Sequence, residues 1–153
     1  GIGRAIVERL LASGAGVAIW DRDRSRAENT AAELQSRGRV MAFAVDVAKL
    51  SDVEAARDAT LKAIGRIDIL VNNAGITGPN ATTWNYPAEA WHDVMRVNLD
   101  STFYSCRALV PSMIAQNYGS QRVRTPECEK HAHSRSPQSL RQLMLHSNKI
   151  YVA

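Results

Sequence analysis

Long apolar runs are missing from this 153-residue chain, and cysteine is scarce. No stretch approaches the ~18 consecutive apolar residues of a membrane-spanning helix, so no membrane partner is expected. Two cysteines, Cys106 and Cys128, are too few for a disulfide framework. That favours a reducing compartment and a cytoplasmic location. The first residues carry no basic stretch leading into an apolar one, so no secretory leader is read there. Internal repeats are also absent. The length suits one domain with a real core. The net charge of +4 does not belong to that core. Residues 1–119 hold 13 basic and 13 acidic side chains, and the whole excess lies in residues 120–153, with three of the four histidines. The basic balance therefore describes the tail.

What is present is alternation. Residues 2–13 place Ile2, Ile6 and Leu10 on one helical face, widened by Ala5 and Leu11, and Gly14-Ala15-Gly16 ends the helix. Residues 17–20 read as a short buried strand and 24–37 as a helix with Ala27, Ala31 and Leu34 inward. Residues 40–45 form the next strand and deliver Asp46. Ser51 and Glu54 make a Ser-x-x-Glu capping pattern for a helix to about Ile64. The apolar run Ile67-Asp68-Ile69-Leu70-Val71 is the pivotal strand, closing on the small, turn-prone cluster Asn72-Asn73-Ala74-Gly75. After a polar loop over 77–87, residues 88–116 read as helical, with Trp91, Met95, Asn98 and Thr102 on one track. Pro111 is expected to kink that helix or start a new segment. Strand and helix thus alternate at βα spacing, which predicts an α/β fold with a doubly wound parallel sheet. Ligands of such sheets sit at the carboxyl ends of the strands.

In this order and spacing, Gly1-Ile2-Gly3, Asp21, Asp46, Asn72-Asn73-Ala74-Gly75 and Asn98 resemble the short-chain dehydrogenase/reductase family over residues 1–119. Within it the likeness is to the 3-oxoacyl-carrier-protein reductase group and its sugar-alcohol dehydrogenase relatives. The resemblance implies a partial Rossmann-type, dinucleotide-binding domain at 1–119. It also implies hydride transfer between a nicotinamide cofactor and a small carbonyl or alcohol. Gly1, Ile2 and Gly3 match the end of the family's Thr-Gly-x-x-x-Gly-x-Gly turn. Glycine there lets the backbone approach a pyrophosphate, and the helix N-terminus offers N–H donors and positive potential.

The other positions carry further expectations from the same resemblance. Asp21 would accept both ribose hydroxyls of adenosine and repel a 2′-phosphate, favouring NAD over NADP. Arg22 beside it weakens that preference, and a solvated Asp-Arg-Asp-Arg turn is the alternative. Asp46 and Val47 match a pair that contacts adenine, or Asp46 simply enters the next helix. Asn72, Ala74 and Gly75 are implied cofactor contacts and Asn73 a brace of the central sheet, with a structural role for the turn equally open. Asn98 matches the asparagine of the family's catalytic tetrad, where it holds a water in a proton relay. A satisfied polar residue inside a helix is the plain alternative.

Two parts of the family plan are not found. The sequence opens past the first, central strand, so the sheet is expected to lack it. The gap between 17–20 and 67–71 would either close by direct pairing or leave the pocket open. A bare edge there predicts marginal stability and self-association. Beyond residue 119 the text turns into an irregular, basic tail, 120–153, expected to be poorly ordered. A short helix over 139–146 through Leu140, Leu143 and Met144 is the one element read in it. The switch resembles a reading-frame shift or a non-homologous splice. Cys128, His131 and His133 lack a firm fourth ligand, so no metal site is read. The tail has no aromatic interleaving and no recognisable module, so no nucleic-acid partner is expected.

The family's catalytic Ser and Tyr-x-x-x-Lys are also missing. Four residues after Tyr86, Tyr104 and Tyr118 stand Ala90, Ala108 and Arg122, and Tyr151 is followed by two residues. In that motif the lysine lowers the phenol's pKa so that it can exchange a proton. The expectation is a family fragment inactive by itself. Its rivals are a catalytically dead nucleotide-binding or dimerising module and a non-functional, frameshifted product.

Overall fold

Apolar and β-branched residues concentrate where the chain is extended, and the helices between them carry the strands back in one direction. A computed structural model describes residues 1–123 and 150–152. In chain order they form α1 (Ile2–Ala12), β1 (Val17–Asp21), α2 (Arg24–Leu34), β2 (Val40–Ala44), α3 (Leu50–Ile64) and β3 (Ile67–Asn72). Then come α4 (Ala88–Met95), a π turn (Arg96–Asp100), α5 (Ser101–Ala115), β4 (Ser120–Val123) and β5 (Ile150–Val152). The sheet order is β2-β1-β5-β3-β4 and the pairs are parallel.

Alternation along each strand divides the core in two. Val17 and Ile19 of β1 pack with Val7, Leu10 and Leu11 of α1 and Ala27 and Leu34 of α2. Ala18 and Trp20 face the other way, onto Val53 and Ala56 of α3 and Leu109 and Met113 of α5. Both faces are covered, which is why β1 and β3 read as continuous apolar runs. A Rossmann-type doubly wound α/β sheet results, with no strand ahead of α1 among the described residues.

Several local expectations are corrected. Ile2 is exposed, and the buried face of α1 is Val7, Leu10 and Leu11. The capping pattern at Ser51 does not form. Leu50 is already helical, the cap position is Lys49 without a side-chain bond, and Ser51 Oγ instead lies 3.3 Å from Asp52 Oδ1. Pro111 starts no new segment, since it lies inside α5, which continues to Ala115. The irregular tail does not begin at 120. Ser120–Val123 pairs with β3 from Ile69↔Ser120 to Asn72↔Val123. An edge strand can leave Gln121 and Arg122 in solvent, so it needs no continuous apolar run.

The expected gap in the middle of the sheet neither closes nor stays open. Ile150–Val152 lies in it, pairing Val17↔Tyr151 and Ala18↔Val152 on one side. On the other it pairs Ile67↔Ile150, Ile69↔Tyr151 and Leu70↔Val152. Residues 124–149 and 153, including Cys128, His131, His133 and the helix expected at 139–146, lie outside the described residues.

Buried polar groups find partners as well. Trp20 Nε1 donates to the buried Thr60 Oγ1 at 3.2 Å, tying β1 to α3. Asp68, fully buried, accepts from Arg66 Nε at 2.7 Å, and the same guanidinium stacks over the Tyr118 ring at 5.6 Å. Thr60→Val keeps the shape but leaves the indole N–H buried without its acceptor. A loss of about 1–3 kcal/mol in urea unfolding is expected; an unchanged midpoint would show that the bond carries no weight.

Candidate functional site

The carboxyl ends of β1, β2 and β3 converge with the N-terminus of α1 on a cavity of about 390 Å³. Gly1 is the cap position of α1 and makes no side-chain cap bond, so the first-turn N–H groups are left to whatever fills the cavity. A Cβ at Gly1 would meet nothing within 4 Å, whereas one at Gly3 would come within 2.8 Å of Asn73 Nδ2. The β3 turn therefore lies directly on the helix entry, and only glycine fits at position 3 without moving Asn73.

Asp21 ends β1 on the cavity wall. Its Oδ1 accepts the Asp23 N–H at 2.9 Å, and Asp23 Oδ1 in turn caps α2 by accepting the Arg26 N–H at 3.0 Å. This turn fixes the carboxylate and brings Arg22, Arg26 and Thr30 to the same cavity. Asp46 lies two residues past β2. Its Oδ1 accepts the Ala48 N–H at 3.1 Å and Lys49 Nζ stands 3.7 Å from Oδ2. Asp46 thus shapes the entry to α3, and with Val47 it also lines the cavity.

The cavity wall gathers Gly1, Ile2, Gly3, Asp21, Asp46, Val47, Ala74 and Gly75. Asn72 stands apart. Its Nδ2 points to Cys106 Sγ on α5 at 4.0 Å, and it lines a small recess with Ser101 and Ser105. Asn73 lines the cavity instead. The reason is the period of two: Asn72 shares the face of Leu70, toward α5, and its neighbour takes the opposite face. Asn73 Oδ1 is buried without a hydrogen-bond partner among the described residues. Burial pushes the Cys106 thiol up, against hydrogen bonds from Asn72 and Gln121 that lower it, so the group is no ready nucleophile.

Asn98 lies behind the wall. Its Oδ1 accepts the Ile76 N–H at 2.8 Å and its Nδ2 donates to Ile76 O at 2.9 Å. It sits in the π turn Arg96–Asp100, an insertion that interrupts the regular helix between α4 and α5. A Cβ at Gly75 would stand 3.3 Å from Asn98 Oδ1. Asn98 is therefore a two-point clamp on the loop that follows the Asn-Asn-Ala-Gly turn. Sequence reading missed Arg26 and Thr30. Their signal was present, because Asp23 caps α2 and so turns its first residues toward the end of β1.

A glycine helix entry, an acidic residue closing β1 and a tight turn after β3 thus meet at the carboxyl edge of a doubly wound sheet, where such folds take their ligands. A family model described as short chain dehydrogenase matches residues 1–120, and the chain belongs to that family. Among curated relatives it is 35% identical over 119 residues to a 2-dehydro-3-deoxy-L-rhamnonate dehydrogenase (NAD(+)) of a Sphingomonas species, covering 78% of this chain and 47% of that one. A D-threitol dehydrogenase of Mycolicibacterium smegmatis is 38% identical over 121 residues, covering 78% and 46%. Among solved structures, NAD+-bound xylitol dehydrogenase superposes with a TM-score of 0.80 at 26% identity, over 94% of this chain and 55% of that one. A metagenomic short-chain oxidoreductase in complex with NADP gives 0.76 at 31% identity, over 80% and 56%. The chain spans about half the length of these relatives. No helix among the described residues is long and apolar enough to cross a membrane.

Removing the clamp tests its role. Asn98→Ala deletes two partly solvated hydrogen bonds. We expect a loss of about 1–2 kcal/mol and faster exchange of the Ile76 amide, with β1 and β2 unaffected. An Ile76 amide exchanging as in the parent would remove the clamp from the account.

Proposed function

We propose that this chain is the nicotinamide-dinucleotide-binding part of a short-chain oxidoreductase, with NAD preferred over NADP and a small alcohol or carbonyl as substrate. The observation that carries the reading is the convergence of the uncapped α1 N-terminus, Asp21 and the residue 74–75 turn on one cavity. The residues fit such a group. Gly1 leaves open space where a pyrophosphate would approach, and the α1 amides would hold its charge. Asp21 would take the adenosine ribose, and Asp46 with Val47 would take the adenine. The bound cofactor supplies the hydride acceptor or donor. Asn98 holds the loop that shapes the nicotinamide end, acting through Ile76. Substrate class is argued from relatives named as dehydrogenases of sugar acids and polyols.

The scarcity of cysteine supports a cytoplasmic location. Exposed Trp91, Leu99, Phe103 and Ile114 on α4, the π turn and α5 support self-association. A second reading, a nucleotide-binding module without chemistry, is favoured by one fact: these residues contain no Tyr-x-x-x-Lys.

NAD should stabilise the chain against heat and bind about tenfold tighter than NADP, because Asp21 repels a 2′-phosphate. Asp21→Ala should narrow that ratio, since Arg22 and Arg26 line the same cavity. Calorimetric titration showing NADP the tighter ligand would reject the assignment of Asp21.

Hydride transfer by this chain alone should not be measurable. Positioned acid–base groups are worth roughly 10²–10⁴ in rate, and the tyrosine and lysine that supply them in the family are missing. NADH oxidation with any ketone above a denatured control would show the reverse.

A further inference from the structure

One margin of the sheet is open among the described residues. β2 has β1 on one side and no strand on the other. The direction of its main-chain groups follows from the ladder with β1. Val17 N–H donates to Arg39 O at 2.8 Å, and Val45 N–H donates to Asp21 O at 3.0 Å. Both main-chain groups of a paired residue point to the same side, and successive residues alternate. Arg39, Met41, Phe43 and Val45 therefore address β1, and Val40, Ala42 and Ala44 turn their N–H and C=O groups outward. Exposure agrees. Val40, Met41, Ala42 and Phe43 are half-buried and Ala44 is exposed, whereas Val17, Ala18, Ile19 and Trp20 of β1 are buried.

Sheet edges are ordinarily blunted by lysine, proline, a bulge or a covering element. Val-Met-Ala-Phe-Ala carries no charge and no proline, and its register with β1 runs unbroken from Val17↔Val40 to Asp21↔Ala44. The charges lie beyond its two ends and differ in sign. Arg37 and Arg39, both exposed, precede the strand, and Asp46 follows it. A parallel strand of the same sequence would set like charges side by side, whereas an antiparallel one sets Arg37 and Arg39 near the partner's Asp46. Side chains match in that orientation too. With Ala42 facing the partner's Ala42, Met41 stands opposite the partner's Phe43, a favourable thioether–aromatic pair. Val40 then stands opposite the partner's Ala44.

We propose that the outer edge of β2 is a homodimer interface, in which two copies of this chain pair their β2 strands antiparallel about Ala42 and join their sheets into one. Val40, Ala42 and Ala44 exchange both main-chain bonds with the residues they face, which fixes the register. The pairing is isologous, so it closes at two copies instead of growing into a fibre. It is separate from the exposed apolar residues of α4, the π turn and α5, and it does not depend on dinucleotide binding.

The test is sedimentation equilibrium of the full chain, joined to residue-resolved hydrogen exchange. A dimer that dissociates on dilution is expected. The amides of Val40, Ala42 and Ala44 should be slow in the dimer and quicken on dilution, while those of Met41 and Phe43 stay protected by β1 throughout. Ala42→Pro removes an outward donor and no bond to β1, and Ala44→Lys puts a charge on the edge; each should weaken association at least about tenfold. The proposal is overturned by a chain still monomeric at about 100 μM, or by exchange at Ala42 and Ala44 that ignores concentration. It is equally overturned by folded variants that associate as tightly as the parent. If Ala42→Pro loses its near-ultraviolet dichroism, Ala44→Lys and the parent chain's exchange map decide the matter.

Discussion

A parallel strand covered by helices on both faces can satisfy its main chain only in another strand. That constraint governs β1 and β3. Their side chains are buried between α1 and α2 on one side and α3 and α5 on the other, so water cannot reach the amides between them. Each buried main-chain group left unpaired costs about 1–3 kcal/mol. A handful of them rivals the ~5–15 kcal/mol that holds a domain together. The slot between these strands therefore recruits whatever extended segment can reach it, and Ile150–Val152, distant in sequence, is seated there. The cavity depends on the same slot, because β1 and β3 bring Asp21 and the Asn-Asn-Ala-Gly turn to its walls only while they are held one strand apart.

Close approach then converts the sheet edge into a shaped site. Asn73 presses on Gly3, and Asn98 holds Ile76 at two points beside Gly75. Small residues are required at both contacts for steric reasons. Through them the helix entry, the β3 turn and the π turn form one continuous wall. Asp21 is fixed by a different device, the turn in which it accepts from Asp23 while Asp23 caps α2. The acidic group and the helix carrying Arg26 and Thr30 are thus oriented together, and a change in one moves the other.

Legibility in the sequence followed the range of the forces involved. β3 and its turn were readable because burial on both faces demands an unbroken apolar run, and the run ends where the small residues begin. The helices were readable from their period, although α1 buries Val7 rather than Ile2 because its first turn borders the cavity instead of the core. Ser51 misled because a capping pattern is local, and the cap position had already been taken by Lys49. The exchange of roles between Asn72 and Asn73 could have been derived by carrying the period of two one residue past the strand. β4 was invisible because an edge strand may be polar, and β5 because three residues pairing across more than a hundred carry no local signal.

Holding a dinucleotide and transferring a proton make different structural demands on this fold. What the cavity would offer a dinucleotide comes mainly from turns at the carboxyl ends of β1, β2 and β3 and from the N-terminus of α1, with Arg26 and Thr30 of α2 and Val97 of the π turn beside them. Those groups act as fixed donors, a fixed carboxylate and steric limits, and none of them has to change protonation state. Proton transfer needs a titrating pair held within hydrogen-bond reach of the reacting oxygen, and no tyrosine here is followed by lysine at one helical turn. Asn98 spends both ends of its amide on Ile76. Its first consequence is therefore the shape of the wall. A site of this kind can recognise a cofactor while leaving the chemical step to groups it does not contain, since the energy of recognition is set by the sheet and its turns and not by the acid–base pair.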